Sequence, residues 1–246
     1  MNRRWRGALW LLPLLLAAGF WLSPPEAVRA DADLAGVTEE ALPQSGQKYV
    51  ALTFDDGPRR STTTRLLDGL AERGVRATFF LIGAQVEYNQ DVIRRMDEEG
   101  HQIGLHTYDH VLLTALNRVD FDAQVEKSRL LLKETLGHND FLLRPPYGIY
   151  DESVKAWAGC PIILWSVDPE DWRDKNTQRV VEHILSNVQD GSIILMHDIF
   201  SESVDAALQV VDELHRQGYL FCTVEELFTL RGIPLEAGEV YTNAYP

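Results

Sequence analysis

Short apolar runs alternate with segments of helical periodicity from Lys48 onward. The runs predict buried strands over 49–54, 77–82, 102–105, 141–143, 162–165, 192–196 and 219–222. Apolar spacing and turn residues predict helices over 62–73, 91–99, 120–136, 151–157, 177–188, 204–214 and 224–230. Strands that alternate with helices favour a parallel sheet covered by helices. We therefore predict an α/β fold that forms a closed or nearly closed barrel.

The first 30 residues differ from the rest of the chain. Arg3, Arg4 and Arg6 precede an uncharged apolar run over 8–22, and small residues follow at 28 and 30. This pattern is typical of a secretory signal peptide, and the run is shorter than the roughly 20 residues that span a bilayer. A cleaved signal peptide and a retained membrane anchor both stay open. Either would place the remainder of the chain outside the cytoplasmic membrane.

The rest of the chain divides into three parts. Residues 31–47 are polar, with no apolar period, and predict a linker. Residues 48–231 contain the predicted strands and helices and predict one domain, to which the motifs described below would give catalytic function. Residues 232–246 form a C-terminal tail without a motif, which either packs on the barrel or stays loose.

Charge and cysteine content narrow the classes of function. The 246 residues carry 23 basic and 37 acidic side chains, a net charge of -14. Nucleic-acid binding needs clusters of Lys and Arg, so we expect no nucleic-acid partner; a neutral polymer fits better. Cys160 and Cys222 match no zinc spacing, and we interpret them as buried apolar residues, with a disulfide as the alternative.

Two carboxylates stand directly after the first predicted strand. Asp55 and Asp56 open the sequence Asp-Asp-Gly-Pro. Because adjacent ionised carboxylates repel each other, a cation on one would relieve that repulsion and leave the other free as a base. Taken alone, the pattern is more typical of a solvated turn, so it gains weight only from the other motifs.

A histidine pair follows the third predicted strand. His106 and His110 are four residues apart, a spacing that would place both on one face of a helical turn and let them hold one ion. Alone, the pair is equally typical of a surface turn. Together with Asp56 it makes a His, His, carboxylate set with room for water, which is typical of catalytic zinc.

Further polar residues follow the later strands. Arg144 begins Arg-Pro-Pro-Tyr-Gly, where two prolines stiffen the loop and help it to aim an arginine and a backbone N–H. His197 is a candidate general acid if a carboxylate keeps it charged, and Asp171 is the candidate partner. All these motifs fall at the carboxyl ends of strands, where barrels place their chemistry. Four other histidines fall on predicted helices or in turns and receive no role: His101, His138, His183 and His215.

Five segments in order resemble the motifs of the polysaccharide deacetylases, carbohydrate esterase family 4 with the NodB-homology fold. They are 53–57 (TFDDG), 106–110 (HTYDH), 144–148 (RPPYG), 168–172 (DPEDW) and 195–197 (LMH). The resemblance covers about 48–231, with no substitution at a catalytic position. It implies a distorted (β/α) barrel of about seven parallel strands and a divalent metal, usually zinc and in some members cobalt.

The resemblance also implies roles for the residues around the metal. Asp56, His106 and His110 would hold the ion. Asp55 would be the general base, and Arg144 would orient it.

The remaining roles implied by the resemblance concern the leaving group and the substrate. His197 would be the general acid, tuned by Asp171. The backbone N–H of Tyr147 would help to stabilise the oxyanion. Trp172 and Leu195 would line the groove that takes the acetyl methyl group.

The activity implied is hydrolysis of the acetamide of N-acetylglucosamine units, a carbon–nitrogen bond other than a peptide bond, with release of acetate. The export segment favours peptidoglycan or a chitin-like glycan as the partner, at the cell wall or outside the cell. Membrane contact would come only through an uncleaved N-terminal segment. Two alternatives stay open: an O-acetyl esterase on xylan-type glycans, and a non-catalytic glycan-binding homologue, which would be expected to lose Asp55 or His197.

Overall fold

The computed structural model describes residues 46–246, apart from the side chain of Asp174. The strands are β1 (Lys48–Asp55), β2 (Thr78–Leu81), β3 (Gln102–Leu105), β4 (Leu142–Leu143), β5 (Ile162–Ile163), β6 (Ser192–His197), β7 (Tyr219–Cys222) and β8 (Val240–Tyr241). The helices are α1 (Arg60–Glu72), α2 (Gly83–Val86), α3 (Gln90–Glu98), α4 (Arg118–Leu136), α5 (Glu152–Trp157), α6 (Asp171–Asp174), α7 (Thr177–Asn187), α8 (Ser201–Arg216) and α9 (Val224–Leu230). Two short 3-10 helices lie at Leu113–Ala115 and Pro146–Gly148.

The sheet curls around until its two sides meet. Its strand order is β6-β1-β2-β3-β4-β5-β8, with β7 paired to the first half of β1, and the strands pair parallel. Just after β5, Val167 forms a parallel bridge to Ile194 of β6. The predicted parallel barrel is therefore confirmed. It is distorted because β4 and β5 are only two residues long each.

Alternation along β1 divides its side chains between two cores. Val50, Leu52 and Phe54 pack in the larger core, which also contains the buried faces of α1 and α8. Tyr49 and Ala51 belong to a second core inside the barrel. Because side chains alternate across a strand, Asp55 shares the inner face with these two residues. This places its carboxylate inside the barrel rather than against the helices.

The opposite end of the barrel interior is filled by apolar side chains. Val224, Leu227 and Phe228 of α9 are buried and pack with the inner-face residues. Thr223 caps α9 in a capping box with Glu226, which satisfies backbone N–H groups at the start of that helix. The barrel is thus filled at its amino end, and the carboxyl ends of the strands are left for polar residues.

The structure differs from the sequence predictions mainly in short elements. The seven predicted strands and the long helices form, with ends that differ from the predicted ones by no more than three residues. Helices α2 and α6 were not predicted, since each spans a single turn and shows no apolar period. The tail packs on the barrel: β8 pairs with β5, and the carbonyl of Gly191 accepts from the N–H of Ala244.

Several predictions concern other parts of the chain or single residues. The predicted export segment and most of the linker lie outside the described residues. Within 46–246, no helix combines the length and the apolarity needed to cross a bilayer. Cys160 and Cys222 are both buried and free, which confirms them as apolar core residues rather than a disulfide.

Candidate active site

The strand register brings the predicted residues to one end of the barrel. Asp55, the last residue of β1, is the Cα partner of His197, the last residue of β6. His106 and Arg144 each directly follow neighbouring strands, β3 and β4. His197 and Leu195 alternate with Met196, which packs in the outer core. Both therefore project toward the barrel interior, as Asp55 does.

Arg144 holds the first carboxylate from inside the barrel. Its guanidinium is fully buried and lies 2.7 Å from Asp55 Oδ1. It also donates to Thr53 Oγ1 at 2.8 Å and to the carbonyls of Ile163 and Leu164 at 3.1 and 2.9 Å. The guanidinium carbon lies 4.0 Å from the centre of the Phe80 ring. Burial lowers the pKa of Arg144, and the charge of Asp55 opposes that shift.

The ion pair between Arg144 and Asp55 is supported by further hydrogen bonds of the guanidinium, which fix its geometry. A buried ion pair is stable only when hydrogen bonds meet the remaining donors, and here two carbonyls and a hydroxyl do so. Asp55 Oδ1 is held by the arginine, and Oδ2 lies 3.7 Å from His106 Nε2. The carboxylate therefore presents one oxygen to the pocket in a fixed orientation.

Asp56 faces the two histidines. Its φ of 72° places it in the left-handed region, and its carboxylate lines the same pocket as that of Asp55. Asp56 Oδ1 lies 3.5 Å from His106 Nε2 and 3.4 Å from His110 Nε2. One ligand atom from each residue falls within a group whose atoms all lie within 4.8 Å of one another. The three predicted metal ligands are thus brought together.

The histidine pair meets by a different route from the predicted helical turn. That prediction was wrong: 106–110 is irregular, and Thr107 and His110 have φ values of 61° and 55°. These left-handed residues reverse the chain within the motif, so the two imidazole centroids lie 4.9 Å apart. Gln124 of α4 fixes the loop by accepting from the N–H groups of Tyr108 and Asp109.

The atoms of this group fit a divalent ion. His106 Nδ1–H donates to the carbonyl of Arg144 at 2.8 Å, so the Nε2 lone pair faces Asp56. Asp56 Oδ1 is buried and has no hydrogen-bond partner among the described residues. Such an atom is costly unless something binds it. Two imidazole nitrogens and a carboxylate oxygen are ligands that zinc accepts.

His197 and Asp171 form a second polar pair on the other side of the pocket. Asp171 is fully buried; its Oδ1 accepts from His197 Nδ1–H at 2.8 Å, and its Oδ2 accepts from the His197 backbone N–H at 2.8 Å. Burial alone lowers the pKa of His197. The hydrogen bond and charge of Asp171 outweigh burial, with Asp55 and Asp56 adding to them, and raise this pKa to about 9. His197 is therefore charged at neutral pH.

A pocket of about 330 Å³ joins these groups. Trp172 and Leu195 line it as predicted, and Tyr147 lies at its rim with 61% of its surface exposed. Tyr147 meets the His110 ring edge-on at 4.8 Å. The pocket is also lined by Trp165, to which the sequence analysis gave no role. A Cβ on Gly148 would lie 2.7 Å from the Trp165 ring, so glycine is needed there.

Asp198 is a further polar residue that the sequence analysis passed over. It is fully buried behind the β1–α1 loop, and its Oδ2 accepts a short hydrogen bond from Thr63 Oγ1. Burial raises the pKa of Asp198 to about 7. A Cβ on Gly57 would clash with Asp198 Oδ1, so the carboxyl group packs against the loop that carries Asp55 and Asp56. Its position directly after His197 is the one sequence signal that could have drawn attention to it.

Comparison with known proteins places this site in a family. Residues 43–160 match the polysaccharide deacetylase family. A peptidoglycan-N-acetylglucosamine deacetylase of Bacillus cereus is 32% identical over 81% of this chain and 97% of its own length. The chain belongs to the polysaccharide deacetylase family. Three of the five motif segments, 53–57, 106–110 and 144–148, fall within the residues that match the family model.

Longer relatives match the same part of this polysaccharide deacetylase. A peptidoglycan-N-acetylmuramic acid deacetylase of Bacillus subtilis is 36% identical over 79% of this chain and 42% of its own length. A peptidoglycan-N-acetylglucosamine deacetylase of Listeria monocytogenes is 40% identical over 79% of this chain and 41% of its own length. The chain thus spans about two fifths of the length of these two relatives.

Solved structures share the polysaccharide deacetylase fold. A structure described as T48 deacetylase with substrate has a TM-score of 0.77 at 40% identity and covers 80% of this chain and 98% of that one. A family 4 acetyl xylan esterase from Clostridium thermocellum, in complex with a cobalt ion, has a TM-score of 0.77 at 28% identity, with the same shares covered. A protein named as a deacetylase and one named as an acetyl xylan esterase therefore share this fold.

Proposed function

We propose that this polysaccharide deacetylase is a metal-dependent hydrolase that removes N-acetyl groups from N-acetylglucosamine units of peptidoglycan or a chitin-like glycan. One observation carries the proposal. A carboxylate fixed by a buried arginine and a charged histidine line one pocket together with a three-ligand metal set. The names of the Bacillus and Listeria relatives support peptidoglycan as the substrate.

Asp56, His106 and His110 would hold the ion, and zinc suits this donor set best, with cobalt second. A divalent ion held there supplies Lewis-acid chemistry: it polarises an acetyl carbonyl and lowers the pKa of water. Three protein ligands leave room for water or substrate, as in other catalytic zinc sites. The cobalt ion in the acetyl xylan esterase supports a transition metal in this fold.

Asp55 acts as the general base. Arg144 holds its Oδ1, so the remaining oxygen faces the pocket and takes the proton of the attacking water. A new carbon–oxygen bond forms as the acetyl carbon becomes tetrahedral. The ion pair with the buried arginine fixes the orientation of the carboxylate toward the pocket.

His197 acts as the general acid. Because Asp171 keeps it charged at neutral pH, it carries a proton on Nε2 for the leaving nitrogen. The oxyanion re-forms the carbonyl as the carbon–nitrogen bond breaks, and the bonding electron pair passes to the nitrogen that His197 has protonated. The products are the free amine and acetic acid, which ionises to acetate, and the proton held by Asp55 returns to solvent. An amide needs this proton more than an ester does, because an unprotonated amine is a poor leaving group.

The remaining lining residues orient the acetyl group. The Tyr147 N–H donates to the developing oxyanion from its left-handed turn, where φ is 63°. Trp172 and Leu195 receive the acetyl methyl, with Trp165 closing the apolar side. Loss of one oxyanion donor costs about 10²–10³ in rate in other enzymes.

Acetate release tests the proposal. The purified protein is assayed on chitopentaose, peptidoglycan and acetylxylan, after chelation and again after zinc or cobalt is restored. We expect metal-dependent release from chitopentaose and peptidoglycan. Asp55→Asn should keep stoichiometric metal and lose turnover by about 10²–10⁴. A fully active Asp55→Asn would refute the base assignment, and no release from any N-acetylglucosamine polymer would refute the function.

Asp140→Asn is the matched control for Asp55→Asn. Asp140 is exposed and does not line the pocket. The substitution makes the same chemical change and should leave turnover unchanged. A parallel loss in both variants would indicate a general effect of charge rather than a base.

Two alternatives have distinct outcomes in the same assay. An O-acetyl esterase, favoured by the likeness to the acetyl xylan esterase structure, would release acetate from acetylxylan alone. A non-catalytic glycan-binding homologue would bind glycan with full metal content and release nothing. The presence of both Asp55 and His197 argues against that homologue.

The proposal includes export, for which the sequence of residues 1–30 is the support. The protein would act at the cell wall or outside the cell. Fusion of residues 1–45 to a reporter that is active only outside the cytoplasm tests this, and an inactive reporter would refute it. Amino-terminal sequencing of the mature protein distinguishes cleavage near residue 30 from a retained anchor.

A further inference from the structure

A second groove adjoins the catalytic pocket. It has a volume of about 570 Å³, and Asp56 and His110 line both this groove and the pocket of about 330 Å³. We call it the Arg59 groove; Arg59, Gln85 and Asn89 are among its other lining residues. Because the two spaces meet at the metal ligands, the groove lies within reach of the part of a glycan that neighbours an acetyl group in the pocket.

The Arg59 groove contains two arginines in different electrostatic states. Arg60 donates to both oxygens of Asp91, at 2.6 and 2.7 Å, so its charge is neutralised. Arg59 is exposed and donates to a neutral acceptor, the carbonyl of Ile199, at 3.0 Å. In the described part of the chain, no carboxylate forms an ion pair with Arg59. Its positive charge is therefore available to a ligand.

An available arginine is notable because this chain is strongly acidic, with a net charge of -14. Most arginines in the described part of the chain form ion pairs, among them Arg65 with Asp205, Arg73 with Asp212 and Arg95 with Glu99. An anionic substrate would be repelled by the overall charge unless a local cation compensated. A guanidinium matches a carboxylate geometrically and can bind it through two hydrogen bonds.

We propose that the Arg59 groove is a substrate subsite in which Arg59 binds a carboxylate carried by the glycan next to the reacting N-acetyl sugar. The inference rests on the proposed function and deepens it, because it selects a carboxylate-bearing glycan over a neutral one. Two sources have the required chemistry: the lactyl carboxylate of an adjacent muramic acid sugar, and a carboxylate of a peptide attached to that sugar.

The position of Arg59 determines how the subsite affects kinetics. The carboxylate lies on a part of the substrate that does not react, so Arg59 contacts it equally before and during the reaction. Uniform binding of this kind lowers KM and leaves kcat unchanged. The contact is exposed to solvent, so salt should weaken it.

Steady-state kinetics with three substrates test the subsite. They are chitopentaose, which is neutral, glycan strands with free lactyl carboxylates, and glycan strands that carry peptides. Arg59→Gln should raise KM about tenfold on one or both carboxylate-bearing substrates, the loss expected from a partly screened charge-assisted hydrogen bond. Its kcat, and all constants on chitopentaose, should match the wild type. The substrate on which KM rises identifies the source of the carboxylate.

Two controls accompany Arg59→Gln. Arg94→Gln makes the same change in net charge on the exposed side of α3, where Arg94 donates to Gln90, and should leave KM and kcat unchanged on all three substrates. Arg59→Lys keeps the charge but cannot bind a carboxylate through two parallel hydrogen bonds. Its KM on the carboxylate-bearing substrates should therefore lie between the values of the wild type and Arg59→Gln. At 0.5 M salt the difference between Arg59→Gln and the wild type should shrink.

The outcomes separate the subsite from the proposed function. Wild-type release of acetate from chitopentaose establishes the deacetylase independently of Arg59. An unchanged KM on both carboxylate-bearing substrates, or an equal loss on chitopentaose, would overturn the subsite while leaving the deacetylase in place.

Discussion

The two walls of the pocket are completed in different ways. The metal wall consists of Asp56, His106 and His110, and two of these residues have left-handed backbones. It leaves Asp56 Oδ1 buried without a hydrogen-bond partner among the described residues. In the proton wall, His197 and Asp171, both carboxylate oxygens and Nδ1 are paired within the chain.

The difference indicates which wall depends on a ligand. Left-handed residues other than glycine cost about 1–3 kcal/mol each and persist where surrounding contacts impose them. On the metal wall, Gln124 supplies such contacts, but an ion is needed to satisfy Asp56. The proton wall needs nothing beyond the folded chain. We therefore expect ion removal to loosen the first wall and leave the second intact.

The largest expected effect comes from the proton wall. Asp171→Asn should lower kcat/KM by about 10²–10⁴, the usual contribution of a general acid. The acid is the charged form of His197, which is present below its pKa of about 9. Without the charge of Asp171, burial lowers this pKa, so the fall in activity at high pH should begin at lower pH. Profiles of kcat/KM from pH 5.5 to 10 measure both changes.

The zinc content of Asp171→Asn distinguishes loss of the general acid from damage to the metal wall. Asp171→Asn should bind zinc as the wild type does, because Asp171 contacts His197 rather than a metal ligand. Asp140→Asn, at an exposed carboxylate outside the pocket, is the control and should change neither quantity. A wild-type pH profile in Asp171→Asn would show that the carboxylate does not keep His197 charged.

A smaller effect is expected on protein stability when zinc binds to the metal wall. Zinc at 100 times its Kd should raise the free energy of unfolding by about 2.7 kcal/mol. For a domain of this size, that corresponds to a rise in Tm of roughly 5–10 °C. His110→Ala should lose most of this rise, because it removes one of the three ligands. Thermal unfolding with zinc and with chelator measures the difference.

Comparison of the two walls by the same measurement tests whether they are independent. Asp171→Asn should keep the full zinc-dependent rise in Tm, whereas His110→Ala should not. An equal rise in both variants would mean that His110 is not a ligand. A loss in both would mean that the walls fold as one unit.

The sequence predicted which residues form both walls, because most of them stand directly after predicted strands. Strand alternation and order along the chain are local properties, and they placed Asp55 and His197 at strand ends that meet in the barrel. The same reasoning failed for His106 and His110, since a spacing of four was interpreted as a helical turn. The left-handed backbone at Thr107 and His110 depends on contacts with α4, which local spacing does not encode.

Other parts of the site depend on contacts between distant residues. Thr53 donates to the carbonyl of Ile194 and also accepts from Arg144, yet it resembles any strand threonine in sequence. Asp198 packs against Gly57, which lies far from it along the chain. Trp165 reads as a strand residue, whereas the structure places it in the pocket. The burial of a polar group depends on contacts between strands and helices that are distant in sequence, so the local sequence pattern does not predict it.

The smallest expected effect concerns the side chain of Tyr147, which borders the metal wall. Its hydroxyl lies 3.5 Å from the His110 carbonyl, at the outer limit of a hydrogen bond, and the residue is largely exposed. Tyr147→Phe keeps the ring beside His110 and the backbone N–H assigned to the oxyanion. We therefore expect kcat/KM and zinc affinity within about twofold of the wild type.

Tyr147→Ala removes the aromatic ring as well as the hydroxyl and therefore tests the contact between that ring and His110. An edge-to-face aromatic pair contributes about 0.5–1.5 kcal/mol, so zinc affinity should fall by about two- to tenfold as His110 loses its neighbour. The backbone N–H survives both substitutions, so kcat at saturating zinc should stay close to the wild type. A hundredfold loss of kcat in Tyr147→Phe would instead show that the phenol takes part in the chemistry, and the oxyanion role would then pass from the backbone to the side chain.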